Sequence, residues 1–142
     1  LLTWAAVAVN VDLRALRTSH ATHRARSEGL PRDASANLLL FYAVECGLKA
    51  ALIRECGLRG TAQLDAHLRN HDLRKLAREL RMAPVLVSRL QDCRRKHDGS
   101  HVPLHDLHEA WRYGAALEPI GESAATAALV AVSDWCRARL AM

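Results

Sequence analysis

The side chains able to do chemistry in this 142-residue chain are mostly histidines and arginines. There are eight histidines: His20, His23, His67, His71, His97, His101, His105 and His108. Seventeen arginines stand beside three lysines. The densest cluster is Arg94-Arg95-Lys96-His97-Asp98-Gly99-Ser100-His101. An Arg and a His held together can cleave RNA without metal. The imidazole takes the 2′-hydroxyl proton, and the cation stabilises the charge growing on the phosphate. Six residues separate Arg94 from His101, and five separate Arg95 from it. That spacing is not specific by itself. Arg14/His20 and Arg17/His23 share it, and roughly three such pairs are expected by chance in a chain so rich in both types.

Other constellations are weaker. His101, His105 and His108 have the i, i+4, i+7 spacing that lines one helix face, and His is a common metal ligand. No HExxH accompanies them, and Pro103 interrupts helical geometry, so they read as polar and capping residues near a loop. No metal and no other cofactor is expected. Cys46, Cys56, Cys93 and Cys136 show no zinc-ligand spacing. Cys46 and Cys136 fall in apolar helical patterns, as reduced and inert thiols of a cytosolic chain would. GxSxG, GxGxxG and P-loop motifs do not occur. Glu45 and Lys49 lie four positions apart inside the most apolar stretch of the chain. Charges at that depth need a partner. They read as an i, i+4 ion pair fixing the helix in its place; the functional alternative is a carboxylate that orients a basic residue at a site.

The elements that must position these residues are helical. Ala (25) and Leu (23) dominate, whereas Val, Ile and Thr together number 16 and only six residues are aromatic. Good helix formers abound, and the types that strands need are scarce. Sandwich, barrel and parallel α/β architectures are therefore excluded as expectations. Pro and Gly divide the chain into helices. The first is expected over residues 3–27 and the second over 33–55, whose middle, residues 38–44, is apolar on every side and so central. A weaker helix is expected over 61–68, and an amphipathic one from residue 70 or 71 with Leu73, Leu76, Ala77 and Leu80 on one face. Another starts at Pro84, carries Leu86, Leu90 and Cys93, and ends at Asp98-Gly99-Ser100. Residues 104–117 and 122–140 complete the set, with Ala125, Leu129, Val132, Cys136 and Leu140 on the last buried stripe. The expected fold class is all-α: one domain over residues 1–142, a bundle of four long helices plus one or two short ones.

Net charge is +5, which permits binding to RNA or another polyanion without demanding it. The apolar opening, residues 1–9, is too short for a membrane span and lacks the basic flank of a signal peptide. It reads as the first turns of a packed helix in a cytoplasmic protein with no membrane partner. The chain lacks an initiator Met, as a trimmed chain or one cut from a longer protein would.

Three segments carry a resemblance. Ala43-Val-Glu-Cys-Gly-Leu-Lys-Ala50, within the apolar stretch 37–53, resembles the second helix of HEPN-domain proteins. His71-Asp72-Leu73 followed by Leu76 resembles their "HDL…L" start of the next helix, and Trp111-Arg112-Tyr113-Gly114 resembles their "W…RY" element ahead of the final helix. The three occur in the right order over residues 10–140. The resemblance implies a HEPN-like helical bundle that dimerises. Many such proteins are metal-independent ribonucleases of toxin–antitoxin or phage-defence systems, with an Arg and a His from each subunit meeting across the dimer cleft. On that reading His101 is the base and Arg95, or Arg94, the phosphate-binding cation. Arg94 and Lys96 guide the RNA backbone, and Arg112 and Tyr113 line the same cleft. The alternative it implies is a non-catalytic HEPN-like module that binds a partner protein, such as an antitoxin or a nucleotidyltransferase, or regulates a longer chain.

Overall fold

Asp12 opens the first helix: its carboxylate accepts the Ala15 N–H at 2.8 Å, satisfying a donor that the helix itself cannot. The computed structural model describes residues 9–142. Helix α1 spans Leu13–Glu28 and α2 spans Ala34–Cys56. Asp33 caps α2 in the same way, on the Ala36 N–H. Gly57 closes α2 in the left-handed region (φ 64°), and the Leu58 N–H returns to the Ile53 carbonyl at 2.9 Å, the pattern of a glycine-ended helix. Among the described residues the first helix thus begins at Leu13, ten residues later than position 3. Asn10 and Val11 lie outside any helix, and the part of that expectation falling on residues 1–8 lies outside the described residues.

Residues 61–68 form two short 3-10 turns instead of a helix. Helix α3 (Leu73–Glu79) follows, with Leu73, Leu76 and Ala77 buried as their spacing predicts. Helix α4 is only Pro84–Val87. The helix expected through residue 97 gives way to a hairpin of β1 (Cys93–Arg94) and β2 (His101–Val102). The register pairs Cys93 with Val102 and Arg94 with His101. Cys93 and Val102 are buried, while Arg94 and His101 are exposed; this is a two-residue periodicity. Asp98-Gly99 forms the turn rather than a helix end, with Gly99 at φ +66°, a region that glycine enters freely. The expected helix over 104–117 is a 3-10 turn plus α5 (Leu107–Arg112). Helix α6 (Pro119–Leu140) starts at Pro119, which fits the first helical turn instead of stopping the preceding helix.

The architecture is an all-α bundle with one small hairpin. Among the described residues three helices are long, α1, α2 and α6, where four were expected, and the remaining ones are short. Helix α2 is central, packed against α1, α6, α5 and α3. Phe41, Val44, Leu48 and Ile53 on it are completely enclosed. It is long and apolar enough to cross a membrane by length and composition, yet 67% of its most apolar window is buried in the bundle, so packing accounts for that character. Gly47 lets α1, α2 and α6 meet: a β-carbon there would lie 2.7 Å from His20 Nδ1 and 2.8 Å from Cys136 Cβ. Arg24 adds a polar tie from α1 to α6 through the Ser133 hydroxyl (2.9 Å) and the Asp134 carboxylate.

Candidate functional site

The hairpin turns sequence distance into contact. Arg94 and His101 sit directly opposite each other on its solvent face, so their β-carbons are about 5 Å apart. The six intervening residues are the turn. Arg94 Nη1 donates to the Gly99 carbonyl at 3.0 Å. The other edge of β1 is held by the chain entering α6: the Glu118 N–H donates to the Arg94 carbonyl and the Lys96 N–H to the Ala116 carbonyl, both at 2.9 Å.

His101 is held from behind by Asp92. Its Nε2 lies 2.8 Å from Asp92 Oδ2. Asp92 Oδ1 accepts from Arg74 Nη2 at 2.8 Å and from the Leu104 N–H at 2.7 Å. One carboxylate therefore joins α3, β2 and the turn before α5. Burial pushes the Asp92 carboxyl up, but the Leu104 N–H, Arg74 and His101 together hold it below the ordinary carboxylate value. In a neutral ring, an Nε2–H donated to Asp92 leaves the lone pair on Nδ1 of His101.

Arg95, His101 and Tyr113 line one open cleft of about 220 Å³, together with Asp106 and Glu109. The Arg95 and Lys96 side chains are exposed. Arg112 does not line this cleft. Arg112 Nη2 donates to the Tyr42 hydroxyl on α2, and its guanidinium also bonds the Tyr113 hydroxyl. Of the expected pair, Tyr113 lines the cleft, with Arg112 bonded to it.

Glu45 and Lys49 do form an ion pair, Oε2 to Nζ at 3.6 Å, both side chains being nearly buried. That pair is part of a larger cluster. The Glu45 Oε1 accepts from His71 Nδ1, and the His71 ring lies against His108, centroids 4.1 Å apart. His101, His105 and His108 do not share a helix face, because β2, Pro103 and a 3-10 turn separate the first from the last. Among the described residues no group of three or more His, Cys, Asp or Glu is arranged to hold a metal ion. Burial pushes the Cys93 and Cys46 thiols up to about 11 and Cys136 up to about 12, so they are protonated and poor nucleophiles near neutrality.

Sequence reasoning missed Asp92, because nothing local marks an aspartate immediately before a strand as the partner of a histidine nine positions on. It also missed the His71–His108 contact, although the His71-Asp72-Leu73 segment had been singled out. The fold and site together define the chain as an all-α bundle carrying a basic hairpin against a His–Asp pair. Comparison with family models, with curated proteins and with solved structures returned no match.

Proposed function

We propose that this bundle is a HEPN-like RNA-binding domain, of the kind found in bacterial toxin–antitoxin or phage-defence systems, and that its hairpin cleft cleaves RNA without metal. The observation that carries the reading is His101, fixed by Asp92 at 2.8 Å, in one cleft with the exposed Arg95. Nδ1 of His101 takes the proton of a ribose 2′-hydroxyl. The 2′-oxygen attacks phosphorus, the P–O5′ bond breaks, and the imidazolium returns its proton to the leaving 5′-oxygen. A 2′,3′-cyclic phosphate and a 5′-hydroxyl result. Arg95 stabilises the charge on the phosphoryl oxygens, and Arg94 and Lys96 attract the flanking backbone. Tyr113, exposed and in the same cleft, offers a face on which a base can stack. A homodimer, implied by the family resemblance, sets two such hairpins together.

The test is labelled RNA incubated with purified protein in EDTA. Wild type cuts it, leaves a 2′-deoxy substrate intact, and loses activity in His101→Ala and Arg95→Ala. RNA left equally intact by wild type and His101→Ala removes the nuclease reading. A second reading then takes its place, favoured by Asp106 and Glu109. These carboxylates oppose a phosphate and suit a cationic side chain of a partner protein. On that reading the domain is a non-catalytic docking module, and the protein encoded beside it co-purifies with it.

A further inference from the structure

The cluster around Glu45 takes no part in the cleft chemistry. Glu45 accepts from His71 Nδ1 through one oxygen and pairs with Lys49 through the other. His71 lies in the short segment between the second 3-10 turn and α3, so this contact ties that segment to α2. The His71 ring, itself half exposed, leans on His108 with centroids 4.1 Å and planes 38° apart. His108 is 3% exposed and packs on Phe41. Its Nδ1 is buried with no hydrogen-bond partner among the described residues.

That arrangement suits one distribution of protons. The Glu45 hydrogen bond raises the His71 pKa. Burial lowers that of His108, and the charge on His71 lowers it further. Burial raises Glu45, but His71 and Lys49 outweigh it and hold the carboxyl below its ordinary value. Between the lowered His108 value and the raised His71 value, a charged His71–Glu45 pair therefore lies beside a neutral His108. Protonating His108 puts an imidazolium against His71 and leaves a buried N–H without an acceptor, which is costly. Glu109, 4.0 Å from His108 Nε2, favours that proton, while Arg112 on α5 and Lys49 on α2 oppose charge in the cluster. On the cavity side face Asp72 and Lys75 of α3 and His105 and Asp106 of the turn before α5. His23 of α1 reaches the cluster only by packing on Tyr42. His108 is enclosed on a helix, whereas His71 is half exposed on a short irregular segment, so it is the His71 segment that moves.

We propose that the His71–His108 pair, tied to α2 by Glu45, is an acid-operated latch: a proton on His108 drives the His71 segment off Glu45 and widens the already open pocket of about 300 Å³ that both histidines line. Asp106 and Glu109 wall both this cavity and the Arg95–His101 cleft. Widening it therefore reaches the proposed RNA site, although the latch stands without that reading.

Amide hydrogen exchange, corrected for its intrinsic pH dependence, tests this on the whole chain. In wild type, residues 69–76 lose about tenfold more protection between pH 6.5 and 4.5 than α2 does. His108→Phe keeps the stack without a titrating group. His71→Gln keeps a donor to Glu45 without a charge. In both variants residues 69–76 change only in step with α2 over that range. Loss at the same pH in the variants overturns the latch, as does wild-type loss only in step with α2. Should His108→Phe fail to fold, His71→Gln decides alone.

Discussion

Replacing Asp92 measures how far one carboxylate holds the hairpin to the bundle. The carboxylate has three partners: the Leu104 N–H at 2.7 Å, Arg74 Nη2 at 2.8 Å and His101 Nε2 at 2.8 Å. These are unequal. Leu104 is buried, and a buried N–H left without an acceptor costs about 1–3 kcal/mol. The Arg74 pair is partly screened, with side chains 32% and 28% exposed, so it contributes about 0.2–1 kcal/mol. His101 is more than half exposed and adds little to stability, however much it matters to orientation. Asp92→Ala therefore destabilises by about 2–3 kcal/mol. Asp92→Asn keeps an oxygen for the Leu104 N–H and loses the charge and the oxygen that accepts from the exposed His101, so it costs about 1 kcal/mol. Urea unfolding of wild type and the two variants, with m-values compared, gives both numbers. Equal costs for Ala and Asn, or both below about 0.5 kcal/mol, refute the picture of Asp92 as an anchor for the Leu104 backbone and for His101.

Two further outcomes test the bundle itself. Gly47→Ala pushes a methyl into His20 Nδ1 and Cys136 Cβ, and overpacking there costs about 1–3 kcal/mol in urea unfolding; a neutral substitution shows that the three long helices are not so closely packed. Acid weakens the fold in a defined window. Burial lowers the pKa of His20, His23 and His108 from 6.5. Their stabilising contribution is thus present above 6.5 and lost as pH falls from there through the lowered folded values. His71, raised by Glu45, works the other way: its contribution is present below 6.5 and lost as pH rises through its folded value. The expected result is a urea midpoint that drops from pH 7 to pH 5, the direction set by His20, His23 and His108; an unchanged midpoint contradicts a dominant contribution from those imidazoles.

The helical character of the fold was legible because it rests on period and punctuation. Asp33, the apolar run 38–44 and Gly57 each mark α2 by local chemistry, and its bounds match to within a residue. The spacing of Leu73, Leu76 and Ala77 located α3 for the same reason. What failed was the stretch from 88 to 103. Leu86, Leu90 and Cys93 keep a helical spacing by accident, and Cys93 is buried because it faces inward from a strand paired with Val102. The signal for the hairpin was present in Asp98-Gly99, a dipeptide that favours tight turns. Two-residue strands carry too few alternating positions to outweigh a helical pattern. Pro119 was ambiguous in a similar way, since proline serves both to end one helix and to begin the next.

The candidate site shows why spacing along a chain is a poor guide to chemistry. Four Arg–His pairs share the interval of five or six residues, and they have different fates. His20 lies buried between α1 and α2, with Nδ1 donating to the Ala43 carbonyl at 2.7 Å. Arg17 donates to the Leu140 carbonyl, and His23 packs on Tyr42. Within α1, five or six intervening residues put the Arg and the His a full turn or more apart. On the hairpin, the same count folds back on itself and sets Arg94 opposite His101. The interval acquires meaning only when a turn closes it. For that reason the sequence could nominate Arg94, Arg95 and His101 but could not rank them above Arg14, Arg17, His20 and His23. What ranks them is the hairpin, with Asp92 behind it and an open cleft in front.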